Sequence, residues 1–286
     1  MSFQDDIKRF SQDNPKTSLP VSGGFFEYYI EGDAKKSLVL LPGHFGEPET
    51  LFKHIDSLKR QFKVLAISYP PEIKTNDALG DAIAKLISFY RLTNVYVYGQ
   101  GYGGLLAMNV AKRHPELISG LILEDVELLT NALPEDAKKK FVKDADLKAR
   151  LAKVQPPSMY QNGELKAFLK PLPEDSRDVT YLTDLASYTL GRSSKEKSLA
   201  QNERFVDLLN NQSYDLKDFE NLKSRVLIMH LEKSAVAPEK RKELESLFMY
   251  PIVNRLDGNS YASLVNPSQS ITFIRGFLNA MPLLES

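Results

Sequence analysis

A glycine-rich stretch that directly follows an aromatic and β-branched segment is the feature that most constrains this chain. Residues 95–98 read Val-Tyr-Val-Tyr, and glycines follow at Gly99, Gly101, Gly103 and Gly104. This is the spacing of the G-x-S-x-G turn, in which a buried strand turns sharply into a helix and presents one side chain above the sheet. The serine position of the motif is Gly101, which has no oxygen to attack a carbonyl. The pattern predicts the turn without its nucleophile.

The composition is typical of a globular chain and gives no net charge. Of the 286 residues, 42% are hydrophobic and 26% are charged, with 37 basic and 37 acidic side chains. We therefore expect no nucleic-acid partner and no membrane partner, because no overall field attracts either polyanion. The chain has no cysteine, which excludes disulfides, thiolate metal ligands and a cysteine nucleophile. We expect no metal and no cofactor. We also expect a cytoplasmic location, since no signal-like or membrane-length apolar segment is present.

Short apolar runs alternate with helical patterns along most of the chain. This alternation predicts an α/β protein with a parallel sheet that is covered on both faces. A further aromatic segment at 25–30 is expected as an edge strand. Between about 126 and 212 the pattern changes to lysine-rich and leucine-rich helices, which indicates an inserted cap. We predict four parts: a lead-in helix at 1–22, a first core part at 23–126, a helical cap at 127–212 and a second core part at 213–286.

This order of elements and three motifs resemble the α/β-hydrolase superfamily, in particular a bacterial branch similar to maspardin. The motifs are Leu-Leu-Pro-Gly-His-Phe-Gly at 40–46, Gly-Gln-Gly-Tyr-Gly-Gly at 99–104 and Asn-Pro at 266–267. The resemblance implies the α/β-hydrolase fold, with a mostly parallel central sheet, helices on both faces and an inserted helical cap. Fold does not determine activity, so the chemistry has to be judged from the site residues.

The resemblance also implies a catalytic triad in the order nucleophile, acid, histidine. The nucleophile position is Gly101. Counting back from the proline after the penultimate strand places the acid at Ser234, and counting back from the proline of the last helix places the histidine at Ser260. No histidine follows His230 in the chain. All three positions therefore lack the groups that a serine hydrolase needs.

The carboxyl ends of the predicted strands carry residues that could form a pocket. The backbone N–H groups of Phe45 and Tyr102 resemble the pair that stabilises an oxyanion, although the surrounding glycines could equally serve only close packing. Asp125 follows the strand before the cap, where it is either an alternative triad acid or a turn carboxylate. We predict a ligand-binding set that consists of His44, Phe45, Tyr69, Gly101, Tyr102, Asp125 and His230.

The four histidines have different expected roles. His44 is a pocket-lining residue and the one candidate base. His230 is more simply a packed residue at a strand end. His54 is expected to be a surface or half-buried residue of a helix, and His114 lies at a helix end, where a cation suits the helix dipole.

The glycine pattern permits one further interpretation. Gly99, Gly101 and Gly104 match the dinucleotide fingerprint G-x-G-x-x-G after a strand. That motif normally opens the first β-α-β unit and has an acidic residue at the end of the next strand. Here several strands precede the motif, and Glu124 and Asp125 come slightly too late. A dinucleotide site therefore stays a minor alternative.

Two hypotheses of different classes follow. The first is a catalytically inactive hydrolase-like protein, a pseudoenzyme, with a pocket for a small acyl or carboxylate-type ligand or a surface for a protein partner. The second is an ester or acyl hydrolase or a lyase that uses non-triad residues such as His44 or Tyr102. They differ in whether His44 faces the same cavity as Gly101. A third possibility is an inactivated variant, which serine, aspartate and histidine at 101, 234 and 260 would restore.

Overall fold

One mixed sheet forms the centre of the protein. The computed structural model describes residues 2–128, 134–170, 179–259 and 262–284. Within these ranges eight strands belong to the sheet, in chain order β1 (Thr17–Val21), β2 (Gly24–Glu31), β3 (Ser37–Leu41), β4 (Lys63–Ile67), β5 (Val95–Gln100), β6 (Ile118–Glu124), β7 (Val226–Leu231) and β8 (Ile252–Leu256).

The strands lie in the order β1-β2-β4-β3-β5-β6-β7-β8. β2 pairs antiparallel with β1 and β4, whereas all other neighbouring strands run parallel. Every residue of β3, β5 and β6 is buried, as expected for central strands that are covered on both faces. This mostly parallel sheet confirms the predicted fold class.

Helices cover both faces of the sheet. In the described residues they are α1 (Phe3–Asp13), α2 (Phe52–Leu58), α3 (Asn76–Phe89), α4 (Tyr102–Arg113), α5 (Glu135–Val154), α6 (Pro157–Leu169), α7 (Val179–Arg192), α8 (Lys195–Asn211), α9 (Pro238–Ser246), α10 (Ala262–Val265) and α11 (Ser268–Ala280). Two short 3₁₀ helices lie at Pro48–Leu51 and Leu216–Leu222. None of the helices in the described part of the chain has the length and apolar character needed to cross a membrane.

Two hydrophobic cores result from this layering. Side chains of α3 and α4 pack with Val97 on one face, whereas side chains of α1, α2 and α11 pack with Tyr96 and Tyr98 on the other. Successive residues of β5 therefore point into different cores, as the pleat requires. The helices α5 to α8 lie between β6 and β7 in the chain, where the sequence predicts the cap.

The prediction was wrong at one edge of the sheet. The segment at 25–30 was expected as an edge strand, but β1 lies outside it and pairs Thr17 with Tyr28. β1 has no apolar run, because it is largely exposed and contains Pro20. Such an edge strand gives little hydrophobic signal in the sequence.

Candidate functional site

The glycine-rich turn, which we call the elbow (residues 99–104), connects β5 to α4. Gly101 is the N-cap of α4 and has φ 52° and ψ −117°. These angles are strained for any residue with a Cβ atom. Its N–H donates to the Glu124 carbonyl oxygen at 3.0 Å, and its own carbonyl accepts from the Gly104 N–H at 3.0 Å. The elbow is thus fixed to β6 on one side and to its own helix on the other.

Close packing explains the glycines around Gly101. A Cβ atom on Gly103 would lie 2.2 Å from the Leu41 carbonyl oxygen, and one on Gly99 would lie 2.2 Å from the Gly103 carbonyl carbon. A Cβ atom on Gly101 would meet no atom within 4 Å. The flanking glycines are therefore required by packing, whereas Gly101 opens into free space.

That free space belongs to a cavity of about 180 Å³, which we call the elbow cavity. For comparison, an engineered cavity of about 150 Å³ in another protein holds benzene. Five of the seven predicted ligand-binding residues line the cavity, namely His44, Phe45, Gly101, Tyr102 and Asp125. The other lining residues are Gly43, Thr50, Gln100, Phe168 and Leu264.

Sequence reasoning missed most of that second group. Gln100 could have been found, since it lies inside the elbow motif. Phe168 gave no signal, because it belongs to α6 and reaches the elbow only through the packing of the cap. Its ring centroid lies 4.9 Å from that of Phe45, and the His44 ring lies 5.9 Å from Phe45 on the other side. These three rings form an aromatic wall between the cap and the cavity.

His44 is the one imidazole in the cavity lining. Its side chain is exposed and lines this space. Loss of bulk water lowers the pKa of His44, the Lys148 ammonium acts in the same direction, and Glu164 opposes them. The ring is therefore neutral at pH 7 and can accept a proton. His44 thus faces the same cavity as Gly101, which keeps the non-triad enzyme as a rival hypothesis.

The phenol of Tyr102 is directed away from the elbow cavity. Its hydroxyl donates to Asn76 Oδ1 at 2.7 Å. Asn76 is itself held by α8, since its Nδ2 donates to the Arg204 carbonyl and to Asp207 Oδ2, each at 2.7 Å. Burial raises the pKa of Tyr102 above its usual range. Tyr102 therefore offers the cavity its backbone N–H and not an acidic hydroxyl.

Tyr69 lies behind Tyr102 and outside the cavity lining. The two rings are 5.8 Å apart in an edge-to-face arrangement. The Tyr69 hydroxyl donates to the Pro42 carbonyl at 2.7 Å, and burial raises its pKa. Tyr69 thus supports the loop that carries His44.

Asp125 occupies an unusual backbone conformation at the cavity. Its φ is 49°, in the left-handed region, and its N–H donates to the Met229 carbonyl of β7 at 2.9 Å. The side chain is half-buried and lines the cavity. Within the described residues no donor or cation forms a hydrogen bond or ion pair with its carboxylate.

The remaining predicted residues do not reach the elbow cavity. His230 Nε2 lies 2.8 Å from Glu245 Oε1, so this imidazole is held by α9. Ser234 closes its own turn, since its Oγ accepts from the Val236 N–H at 3.0 Å. Ser260 lies outside the described residues.

A set of polar side chains, which we call the buried layer, lies beneath the elbow and comprises His54, Tyr98, Gln100, Glu124, Ser263 and Ser270. Glu124 is fully buried and accepts from Tyr98 at 3.1 Å, Gln100 at 3.3 Å and Ser270 at 2.5 Å. Gln100 also donates to Ser263 at 2.6 Å. Burial raises the pKa of Glu124. Its three donors compensate the cost of burying this carboxyl group.

His54 belongs to the buried layer, so the expectation of a surface or half-buried position was wrong. It is 1% exposed, and its Nε2 lies 3.5 Å from Ser270 Oγ. His54 shares its helix face with Leu51 and Leu58, at i−3 and i+4, so the face that packs on the sheet carries it inward. Burial lowers the pKa of His54 to about 3.

Among the residues that the structure describes, no three His, Asp or Glu side chains come together in a way that could hold a metal ion. The glycine motif follows β5, which is the third strand of the parallel part of the sheet in chain order and not the first, and this differs from the usual placement of a dinucleotide fingerprint.

Comparison with known proteins gives a match in structure only. No protein-family model matches the sequence, and no curated protein is significantly similar to it. Solved structures do match: an enol-lactonase from Burkholderia xenovorans, with TM-score 0.72 and 16% identity, covers 92% of this chain and 100% of its own.

Two esterase structures agree with this result. A carboxylesterase from the thaumarchaeon Nitrososphaera gargenis has TM-score 0.72 and 18% identity, over 93% of this chain and 98% of its own. Carboxylesterase CesB from Bacillus subtilis has TM-score 0.69 and 15% identity, over 98% of each chain. At these identities the likeness concerns the fold and not the activity. The chain has the α/β-hydrolase fold.

Proposed function

We propose that this protein is a catalytically inactive member of the α/β-hydrolase fold that binds a small acyl compound in the elbow cavity. One observation carries the proposal. The elbow keeps the backbone of a nucleophile turn at Gly101, but free space replaces the nucleophile. A cavity therefore remains where a serine hydrolase would attack its substrate.

The triad positions support the absence of serine-hydrolase chemistry. Gly101 has no nucleophilic oxygen, and Ser234 uses its hydroxyl within its own turn. The sequence has serine at position 260 and no histidine after His230. Without an imidazole and a carboxylate in these places, no serine hydroxyl would be activated.

The cavity favours an acyl ligand. Tyr102 is the first residue of α4, so its N–H has no acceptor within the helix and suits a carbonyl oxygen. The Asp125 carboxylate lines the same space and opposes a second negative charge. An uncharged acyl group, such as an amide or ester, therefore fits better than a carboxylate. We propose His44, Phe45, Gly101, Tyr102 and Asp125 as its contacts.

The cap completes this site. We propose residues 127–212 as its bounds, and its Phe168 forms the outer part of the aromatic wall. A concave cavity of this size favours a small ligand over a protein partner.

The rival function is an enzyme that uses His44 as a general base. It has one specific observation in its favour, namely the neutral imidazole in the same cavity as the elbow. Tyr102 does not support this rival, because its hydroxyl is bound to Asn76. Such an enzyme would act on an ester or acyl compound by hydrolysis or elimination.

Butyramide provides a direct test of ligand binding. Titration of the ¹⁵N-labelled protein should shift the amide signals of Tyr102 and Phe45 in a saturable way. Gly101→Asn, which fills the free space, should abolish these shifts. Gly23→Asn is the matched control, because Gly23 also has positive φ and no atom within 4 Å of an added Cβ, but lies in the β1–β2 turn. Shifts that survive Gly101→Asn, or no shifts at all, would contradict the proposal.

A further inference from the structure

We infer that the acyl ligand of the elbow cavity carries an ammonium group, which Asp125 and the aromatic wall recognise. This inference rests on the proposed function, since it concerns the same site. It adds the charge of the ligand and a second point of attachment.

Asp125 is the first observation. Its carboxylate lines the cavity and has no hydrogen bond or ion pair among the described residues. The backbone fixes its position, because its N–H bonds to β7 and its φ lies in the left-handed region. A carboxylate that is fixed in place and makes no ion pair can bind a cationic ligand without breaking a contact within the protein.

The charges around the cavity also favour a cationic ligand. Asp125 is the only aspartate, glutamate, lysine or arginine among the described residues that line it. His44 is neutral, and Lys148 beyond it forms an ion pair with Glu164 at 3.3 Å. No lysine or arginine in the described lining therefore competes for Asp125.

The charged groups farther from Asp125 are either acidic or form an ion pair with a group of opposite charge. Glu127 lies on the same segment, where burial raises its pKa, Lys240 lowers it and Asp125 raises it. Lys240 is itself paired with Glu243 at 2.7 Å, and His230 is paired with Glu245 at 2.8 Å. The local field at the cavity is therefore negative on the Asp125 side.

The aromatic wall is the second observation. Phe45 and Phe168 lie 4.9 Å apart at the cavity, and aromatic faces attract ammonium groups that have lost part of their water. Gly101 and Asp125 are close, because the Gly101 N–H bonds to the carbonyl of the preceding residue, Glu124. The acyl and ammonium groups of the ligand are therefore separated by a short chain, which agrees with a cavity of about 180 Å³.

Three amides that differ only in the group on carbon 3 of propanamide provide the test. They are 3-aminopropanamide, which is a cation, butyramide, which is neutral, and succinamate, which is an anion. We expect 3-aminopropanamide to bind about tenfold more tightly than butyramide, as a partly desolvated ion pair with aromatic contacts predicts. Succinamate should bind most weakly.

Asp125→Asn is the decisive variant, because asparagine tolerates the left-handed backbone. It should remove the advantage of 3-aminopropanamide, so that the ratio of its affinity to that of butyramide falls from about tenfold to about one. Asp33→Asn, an exposed substitution in the loop after β2, should change neither affinity.

The outcomes separate the two proposals. Equal affinities for the three amides, or tightest binding of succinamate, would overturn the ammonium inference and leave the acyl site intact. An advantage of the cation that persists in Asp125→Asn would also overturn it. Failure of all three amides to bind would overturn the proposed function and, with it, this inference.

Discussion

The buried layer and the elbow cavity both adjoin the elbow and share Gln100, yet their carboxylates have different partners. Beneath the elbow, Glu124 has three donors and is fully buried. Above the elbow, Asp125 has no partner among the described residues and lines a cavity. Two consecutive carboxylates thus have opposite environments: Glu124 is the last residue of β6, and Asp125 follows it with a left-handed backbone conformation.

The two histidines repeat this contrast. Burial lowers the pKa of His54 to about 3 beside Ser270, so it has a structural role. His44 is accessible from the cavity. Proximity to the elbow therefore does not identify a functional residue. The useful distinction is whether a polar group already has its partners within the fold or still presents an unsatisfied group to a cavity.

Among the predictions, disrupting the close packing of the elbow against β3 should change the stability of the protein most. Gly103→Ala places a Cβ atom 2.2 Å from the Leu41 carbonyl oxygen, so α4 must shift away from β3. We expect the free energy of unfolding in urea to fall by at least about 3 kcal/mol.

Gly163→Ala is the matched control for that variant. Gly163 lies in α6, and an added Cβ atom there meets nothing within 4 Å. Its stability should stay the same or rise by up to about 1 kcal/mol. Equal stability of Gly103→Ala and Gly163→Ala would contradict the packing role of the elbow glycines.

The buried layer should make the free energy of unfolding depend on pH. The folded protein keeps His54 neutral with a pKa of about 3, against 6.5 ordinarily, so between these values only the unfolded chain takes up the proton. The contribution of neutral His54 to the stability of the folded protein is therefore complete above pH 6.5 and is lost as the pH falls below that value. From pH 7 to pH 5, wild type should lose about 2 kcal/mol more than His54→Leu.

Urea unfolding of both proteins at the two pH values measures this difference. The comparison between proteins is needed because Glu124, with its raised pKa, gains stability on acidification and opposes the effect. The same loss in wild type and His54→Leu would show that His54 is not buried in the neutral state.

Substitution of Tyr102 shows whether its phenol belongs to the protein interior or to the elbow cavity. Tyr102→Phe removes the donor to the buried Asn76 Oδ1 and should cost about 1 kcal/mol in unfolding free energy. The affinity for butyramide should stay unchanged, since the proposed contact is the backbone N–H. A weakened affinity without a loss of stability would place the phenol in the cavity instead.

The fold was predictable because its signal is local. Runs such as Ser37–Leu41 are buried on both faces and stand out in the sequence, as do helices with regular apolar spacing. β1 escaped notice because an exposed edge strand has no such run. The elbow was predictable from its glycines, since close approach of backbones leaves no room for other residues.

The site was only partly predictable because its walls come from distant segments. His44, Phe45 and Asp125 follow strands, and the common edge of a parallel sheet brings them together. Phe168 depends on how the cap packs, which no short pattern records. Tyr69 and His230 were expected at the same edge, but their polar atoms are bound to Pro42 and Glu245.

Hydrolysis of p-nitrophenyl butyrate by the wild-type protein tests the central claim most directly, with His44→Ala measured beside it. The proposed inactive site predicts that both proteins release p-nitrophenol at the rate of buffer alone, because residue 101 carries no nucleophile. A rate well above buffer that His44→Ala abolishes would contradict the claim and identify the elbow cavity as the site of a non-triad enzyme.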